Sequence, residues 1–482
     1  MIKRVAWGSA LLLAAVLVFV IVECAVNPVT GKRELMLLSE SDEVALGGQT
    51  DEQIIQSYGL YEDAELTAYI DAMGQHMSRI THRPNLNYHF KVLDTPVVNA
   101  FAVPGGYVYF TRGILSYLNN EAELAGVMGH ELGHVNARHS AVQYSRAQLA
   151  MLGLGVGMVF SEKFRQYAGL AQFGVSMLFL RFSRDNERQA DDLGVEYSMK
   201  TGYDADNMAS FFETLERMNP GSDASGLPGW FTTHPNPTDR IGAVKRKTQE
   251  FRSKLPGPFA VNREPYLTQL DGLVHGEDPR QGYVEGNAFY HPGLQFTFPL
   301  PADWGVNNTP AQVQIVSKAE DAAIMFALDS GATPAAAAQQ FTQQSGGRVL
   351  ASDALQINGL SAHRLLSEVT SEEQALEVMS TFIKMDDRIF VFHGFTAPAQ
   401  FGTYRPAFDN TMGKFKRLTD ASKLNVKPSR LQLKKTRTHG SVRAGLSGLG
   451  VAADQLESIA LLNGMLLEQT IEAGTTLKLV AK

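Results

Sequence analysis

The sequence predicts an α+β fold in several parts, and three observations carry that reading. Strand-like segments on either side of Pro104-Gly105-Gly106 give way to helical periodicity between residues 120 and 136. From Ala288 the pattern changes to alternating segments broken by two helical stretches, and 424–482 reads strand, helix, helix, strand. At 482 residues the chain is too long for a single core. A net charge of −7 argues against nucleic acid as a partner, and one cysteine excludes an intramolecular disulfide.

Residues 1–24 have the form of an export segment. Lys3 and Arg4 give a positive start, residues 5–22 carry no charge, and Cys24 follows. A thiol there suits lipidation after cleavage, although Glu23 stands where a small residue is expected. The apolar run also reaches the short limit for an uncleaved bilayer anchor. Either way the N-terminus attaches an exported chain to a membrane.

Residues 25–255 read as a mostly helical domain with a small β-hairpin at a cleft. The hairpin pairs 97–103 with 107–111. Asn120 then stands as N-cap with Glu123 three residues on, ahead of Leu124, Val127, Met128, Leu132 and Val135 at helical spacing. The apolar stretch 147–180 is interrupted by Glu162, Lys163 and Arg165, which leaves pieces too short to span a bilayer. It reads as amphipathic helices over the cleft or on a membrane surface, or as ordinary core. A last helix is expected over 238–254. Residues 256–286, opened by Pro256-Gly257-Pro258, read as a linker with turns.

Residues 287–420 form a small α+β domain. Strands are expected at 294–300, 313–316, 323–328, 362–367 and 388–395, with helices at 333–344 and 372–383. No cluster of metal ligands or nucleophiles falls there, so binding or scaffolding is its default role. In 424–482, Leu431-Gln432-Leu433 begins a strand, two short helices occupy 442–461, and 473–480 closes the sheet. Asn463-Gly464 and Ala473-Gly474 make this βααβ unit resemble a degenerate LysM-like module, which implies glycan binding. Lys434 and Lys435 in the irregular first strand leave a packing or protein-binding role open.

The chemistry concentrates in His130-Glu131-Leu132-Gly133-His134. On a helix, positions i and i+4 share a face, so two neutral imidazoles can hold one zinc ion with Glu131 beside any water it binds. A third protein ligand is required. Glu187 is the candidate, with Asp191 one turn on to accept the free ring N–H of a ligand histidine. The alternative is a solvated, acid-rich helix start. The metzincin pattern of a later glycine and third histidine fails, because those positions hold Ala137 and Ser140. His139 lies one residue early, rotated roughly 140° from His134 if the helix continues, and is expected to pack or to support the site from behind.

Four blocks occur in order: Asn99-Ala100-Phe101-Ala102-Val103-Pro104-Gly105-Gly106, then HELGH, then Glu187-Arg188-Gln189-Ala190-Asp191, then Thr233-His234-Pro235 with Arg240. In them the chain resembles the zinc endopeptidase family of the CAAX prenyl protease and the bacterial protease HtpX, and within it the BepA-like periplasmic branch. The resemblance covers roughly residues 40 to 250. It implies a zincin with one zinc ion per chain, ligated by His130, His134 and Glu187, and Glu131 as general base. The hairpin edge at Asn99, Ala100 and Phe101 would hold an extended substrate by main-chain hydrogen bonds. His234 would stabilise the oxyanion or occupy the open zinc position at rest, and Arg240 would help bind the oxyanion. Capping or surface roles are the alternative for both.

The implied activity is cleavage of misfolded or misassembled envelope polypeptides in the periplasm of a Gram-negative bacterium. Two other functions fit some of the same residues. One is a non-catalytic assembly factor using the hairpin edge and the later domains. The other is a peptidoglycan-directed zinc hydrolase, suggested by the LysM-like tail.

Overall fold

The computed structural model describes residues 24–154, 182–218, 229–234, 239–371 and 374–482. Most of the export segment, most of the apolar stretch 147–180 and Pro235 lie outside the described residues. Among the described residues no helix is long and apolar enough to cross a membrane. The fold mixes helix and sheet, as expected of an α+β chain, and divides into two compact units. The first is built from 24–55, 59–275 and 430–481, the second mainly from 276–429.

The first unit opens with a small ribbon of β1 (Cys24–Val26) and β2 (Arg33–Leu35). Two helices follow, α1 (Glu40–Tyr58) and α2 (Ala64–Ser78); Ser39 caps α1 by reciprocal bonding with Asp42. Next come β3 (His89–Leu93), β4 (Ala100–Val103) and β5 (Tyr107–Thr111), in sheet order β3-β5-β4. The expected hairpin is β4 with β5, and β3 adds a third strand parallel to β5. Gly105 and Gly106 take φ +82° and +94° in its turn, and a Cβ on Gly106 would sit 2.5 Å from the Asn87 carbonyl oxygen.

Among the described residues seven helices then build the body: α3 (Arg112–Tyr117), α4 (Glu121–Asn136), α5 (His139–Leu154), α6 (Arg184–Lys200), α7 (Asp206–Met218), α8 (Trp230–Thr233) and α9 (Arg240–Arg252). Every residue of α4 is buried. The stretch expected to be a linker instead contains α10 (Arg263–Gln269), whose Tyr266 is fully buried and donates its hydroxyl to the Leu115 carbonyl at 2.8 Å. The carbonyls of Asn262 and Val261 accept the free N–H groups of Glu121 and Ala122, at the start of α4. Two helical turns next to Pro-Gly-Pro are too short for the helical period to show in sequence.

The second unit has a four-stranded sheet of β6 (Tyr283–Glu285), β7 (Ala288–His291), β8 (Phe296–Pro299) and a short last strand. Its seven-stranded sheet contains β9 (Gly305–Asn308), β10 (Gln312–Val316), β11 (Ala322–Asp329), then β12 (Arg348–Ile357), β13 (Leu360–Ser371), β14 (Gln374–Met385) and β15 (Arg388–Thr396). The order is β12-β13-β14-β15-β11-β10-β9. Helices α11 (Pro334–Ser345) and α12 (Phe401–Gly413) pack on it, α11 starting at Thr333 as N-cap. The helix expected over 372–383 is β14. That strand is buried on both faces, Met379 and Ile383 facing one apolar cluster and Phe382 another. Two-sided burial removes the alternation that marks a strand.

In the closing segment, β16 (Arg430–Lys435) pairs antiparallel with β17 (Thr476–Ala481) around α13 (Val442–Gly448) and α14 (Leu456–Leu462). The βααβ pattern is present, but the module has no core of its own. Leu431, Leu446, Leu462 and Leu477 join the same buried cluster as Leu124, Phe212 and Tyr266. Lys478 is fully buried and donates to the carbonyls of Ser116 at 2.6 Å and Leu118 at 2.7 Å, just ahead of α4. Replacing Lys478 with Met leaves both carbonyls without this donor, each an unmet group of about 1–3 kcal/mol. Urea unfolding followed by Trp230 fluorescence in a Trp7→Phe, Trp304→Phe background should therefore show the first unit destabilised by about 2–4 kcal/mol.

Candidate metal centre

Two helices bring the sequence-predicted ligands together. Helix α4 starts where Asn120 accepts the Glu123 N–H and Glu123 in turn accepts the Asn119 N–H, both at 2.8 Å, and it carries His130, Glu131 and His134. Helix α6 starts at Ser183, which accepts the Asn186 N–H, and it carries Glu187 and Asp191. Little side-chain bulk separates them. A Cβ on Gly129 would sit 2.9 Å from the Gly194 carbonyl oxygen, and one on Gly133 3.1 Å from the Ala190 Cα. Glycines beside His130 and His134 therefore let the backbone of α6 come close enough for Glu187 to reach both rings.

The Nε2 atoms of His130 and His134 lie 3.1 Å apart. Glu187 Oε1 is 3.4 Å from His134 Nε2, and Oε2 is 3.6 Å from His130 Nε2. His234, at the end of α8, puts Nδ1 3.2 Å from His130 Nε2 and 3.1 Å from Glu187 Oε1. All four residues are buried, and one ligand atom from each lies within 4.8 Å of the others. Metal bonds of about 2.0–2.2 Å at the tetrahedral angle separate neighbouring ligand atoms by about 3.3–3.6 Å. The observed spacings are close to those edges, and the donor set suits zinc. Burial pushes His134 well below the ordinary imidazole range, which keeps its ring a neutral lone-pair donor. Burial acts to raise Glu187, but His234 and His134 beside it hold its carboxyl well below the ordinary value.

Asp191 sits where the sequence placed it. Its Oδ1 is 2.9 Å from His130 Nδ1, and Arg240 donates from Nε to Oδ2 at 2.8 Å and from Nη2 to Oδ1 at 2.7 Å. The Arg240 guanidinium also lies 3.4 Å from Glu187 Oε2 and over the Phe212 ring at 4.2 Å. Where an oxyanion contact was expected of it, Arg240 pairs with Asp191 and lies beside Glu187. Glu131 is fully buried with both oxygens lacking a hydrogen-bond partner among the described residues, and Oε1 is 3.6 Å from His234 Nε2. Burial raises its pKa.

Strand β4, carrying Ala100 and Phe101, lies against α4 with its outer edge paired to no described strand. Asn99 precedes it, its carbonyl bonded to Thr111, and Phe101 stacks on Tyr109 with ring centroids 4.9 Å apart. Cys24 begins β1, remote in sequence from these blocks.

The helix does not continue to His139. Arg138 adopts φ +55°, held by its bond to Glu43 at 2.6 Å and to the Leu38 carbonyl at 2.9 Å. This left-handed residue ends α4 and swings His139 back, so its Nδ1 lies 3.0 Å from His134 Nδ1. The expected rotation away from His134 is thus corrected, and His139 stays outside the ligand set. Sequence reasoning also missed Trp230 and Phe182. Trp230 stacks on His234 with centroids 4.4 Å apart, and Phe182 lies 4.1 Å from His134. The i, i+4 spacing of Trp230 and His234 was the available signal for the first.

Residues 64–248 match the profile of peptidase family M48. The beta-barrel assembly-enhancing protease of Escherichia coli (strain K12) is 29% identical over 224 residues, 45% of this chain and 45% of that protein. The putative beta-barrel assembly-enhancing protease of Vibrio cholerae is 30% identical over 197 residues, 39% of this chain and 40% of its own length. The mitochondrial metalloendopeptidase OMA1 of Schizosaccharomyces pombe is 27% identical over 258 residues, 52% of this chain and 74% of that protein. The chain thus spans less than half the length of these two bacterial relatives.

If Asp191 orients His130 as the geometry indicates, Asp191→Asn should weaken zinc binding by about 10- to 100-fold in competition with a fluorescent chelator.

Proposed function

This chain carries a domain of peptidase family M48, and from that premise we propose that it is a zinc-dependent endopeptidase of the cell envelope. Its substrates on this reading are misfolded or misassembled envelope polypeptides, and its N-terminus attaches it to a membrane on the periplasmic side. The observation that carries the proposal is Glu131, a buried carboxylate without a hydrogen-bond partner among the described residues, next to a cluster of His130, His134, Glu187 and His234. Such a group is costly to bury unless it has a task or a partner that arrives with substrate.

His130, His134 and Glu187 would hold the zinc ion, with Asp191 and Arg240 fixing the ring of His130. When bound, zinc supplies Lewis acidity that acidifies water and polarises a carbonyl. Glu131 takes the proton of the attacking water as the C–O bond forms, and gives it to the amine nitrogen as the C–N bond breaks. Its upward-shifted pKa suits both transfers. The free edge of β4 would align the substrate as an added strand, so that affinity comes from main-chain bonds and sequence preference stays broad.

His234 completes a set of four protein ligands, whereas a catalytic zinc needs an open position. We therefore assign His234 to that position at rest, held by its stacking on Trp230, with activity requiring its withdrawal. The names of the bacterial relatives support an envelope role, and the export-like N-terminus supports the location. The LysM-like tail offers less support for glycan binding, since much of its apolar surface lies in the shared core.

Two mutants test this reading. Glu131→Gln should retain zinc but lose at least about 100-fold in cleavage of unfolded casein, and full activity in that mutant would refute the general-base role. His234→Ala should keep zinc and raise basal cleavage. An unchanged rate would exclude the resting-ligand role.

A further inference from the structure

Behind the ligand cluster lies a second set of contacts that the proposed chemistry does not use. His134 Nδ1 and His139 Nδ1 are 3.0 Å apart, and His139 Nε2 is 3.0 Å from Gln189 Oε1. Both rings are buried. Gln189 sits on α6 between Glu187 and Asp191, so this chain of contacts leaves α4 at one ligand and returns to the helix that carries another.

The two distances are compatible with few proton placements. His134 points Nε2 at the ligand cluster, so a metal there needs the Nε2 lone pair and leaves the proton on Nδ1. That N–H has His139 Nδ1 in front of it, which must then be the acceptor. A neutral His139 accepting at Nδ1 carries its proton on Nε2 and donates it to the amide oxygen of Gln189. We infer that His139 and Gln189 are positioning residues that fix the tautomer and orientation of His134 through the path His134 Nδ1–H to His139 Nδ1, and His139 Nε2–H to Gln189 Oε1.

The inference rests on the metal-site reading above, and it adds a difference between the two ligand histidines. His130 is backed by a carboxylate, Asp191, itself paired with Arg240, while His134 is backed by a neutral imidazole and an amide. A carboxylate partner increases the basicity of a ligand ring, whereas a neutral acceptor mainly fixes its orientation. Arg138 makes the path possible. Left-handed two residues after α4, it turns the chain so that His139 returns to His134, and the bond to Glu43 holds it there.

The test uses the whole chain and reads tautomers before any metal is added. In metal-free protein labelled with 15N-histidine at neutral pH, His134 should carry its proton on Nδ1 and His139 on Nε2. A His139 protonated on Nδ1, or on both nitrogens, overturns the inference. His139→Phe keeps a ring but removes the acceptor, and Gln189→Leu removes the terminal acceptor from a half-buried position. Both should weaken zinc affinity by about tenfold or more while the far-ultraviolet circular dichroism of the metal-free protein is unchanged. If His139→Phe fails to fold, Gln189→Leu decides, through loss of the single-tautomer signal of His139. Unchanged affinity in both variants overturns the inference. A wild-type chain that binds no zinc overturns the metal reading instead, and the tautomer pattern still decides the path.

Discussion

Buried charge is the constraint on which the first unit depends. Glu131, Glu187 and Asp191 lie together with almost no solvent contact, and Arg240 is the fixed cation among them. Each unpaired carboxylate removed from water costs several kcal/mol. One guanidinium and one divalent cation would balance three carboxylates, which is the charge the proposed metal would bring. The residues nearest it are imidazoles and flat aromatic rings, which shape the space around the carboxylates.

The same centre governs the backbone around it. Glycines 129, 133 and 194 remove the bulk that would hold α4 and α6 apart, and the left-handed Arg138 ends α4 directly after its last ligand turn. The other end of α4 is satisfied from far along the chain, by the carbonyls of 261 and 262. Lys478 ties down the loop just ahead of it. A helix that is buried throughout cannot leave its terminal groups to water, which is why distant segments converge on it.

Much of this centre was legible in sequence because its signals are local. The i, i+4 spacing located His130 and His134, Asn120 and Glu123 marked the helix start, and the acidic pair on the next helix pointed to Glu187 and Asp191. The α+β character followed from the change of period near Ala288. What the sequence hid were effects of tertiary context. A left-handed arginine has no compositional mark, so the turn by which His139 comes to back His134 was not foreseen. A strand buried on both faces copied a helical period at 372–383. Helix α10 was too short to declare itself, and the shared core of the closing segment depended on surfaces that only meet in three dimensions. The pairing of Arg240 with Asp191 was likewise a matter of geometry.

The closing segment has a consequence for the order of events during biosynthesis. Lys478 meets Ser116 across 362 positions of chain, with the whole second unit emerging between them. Residues that complete the core under the HELGH helix are therefore translated long after the helix itself. Until they arrive, the loop ahead of α4 lacks Lys478 and part of its apolar cover. Pairings of such long range also form slowly. A chain of this design keeps the surroundings of its HELGH helix incomplete for as long as residues 430–481 are still being made.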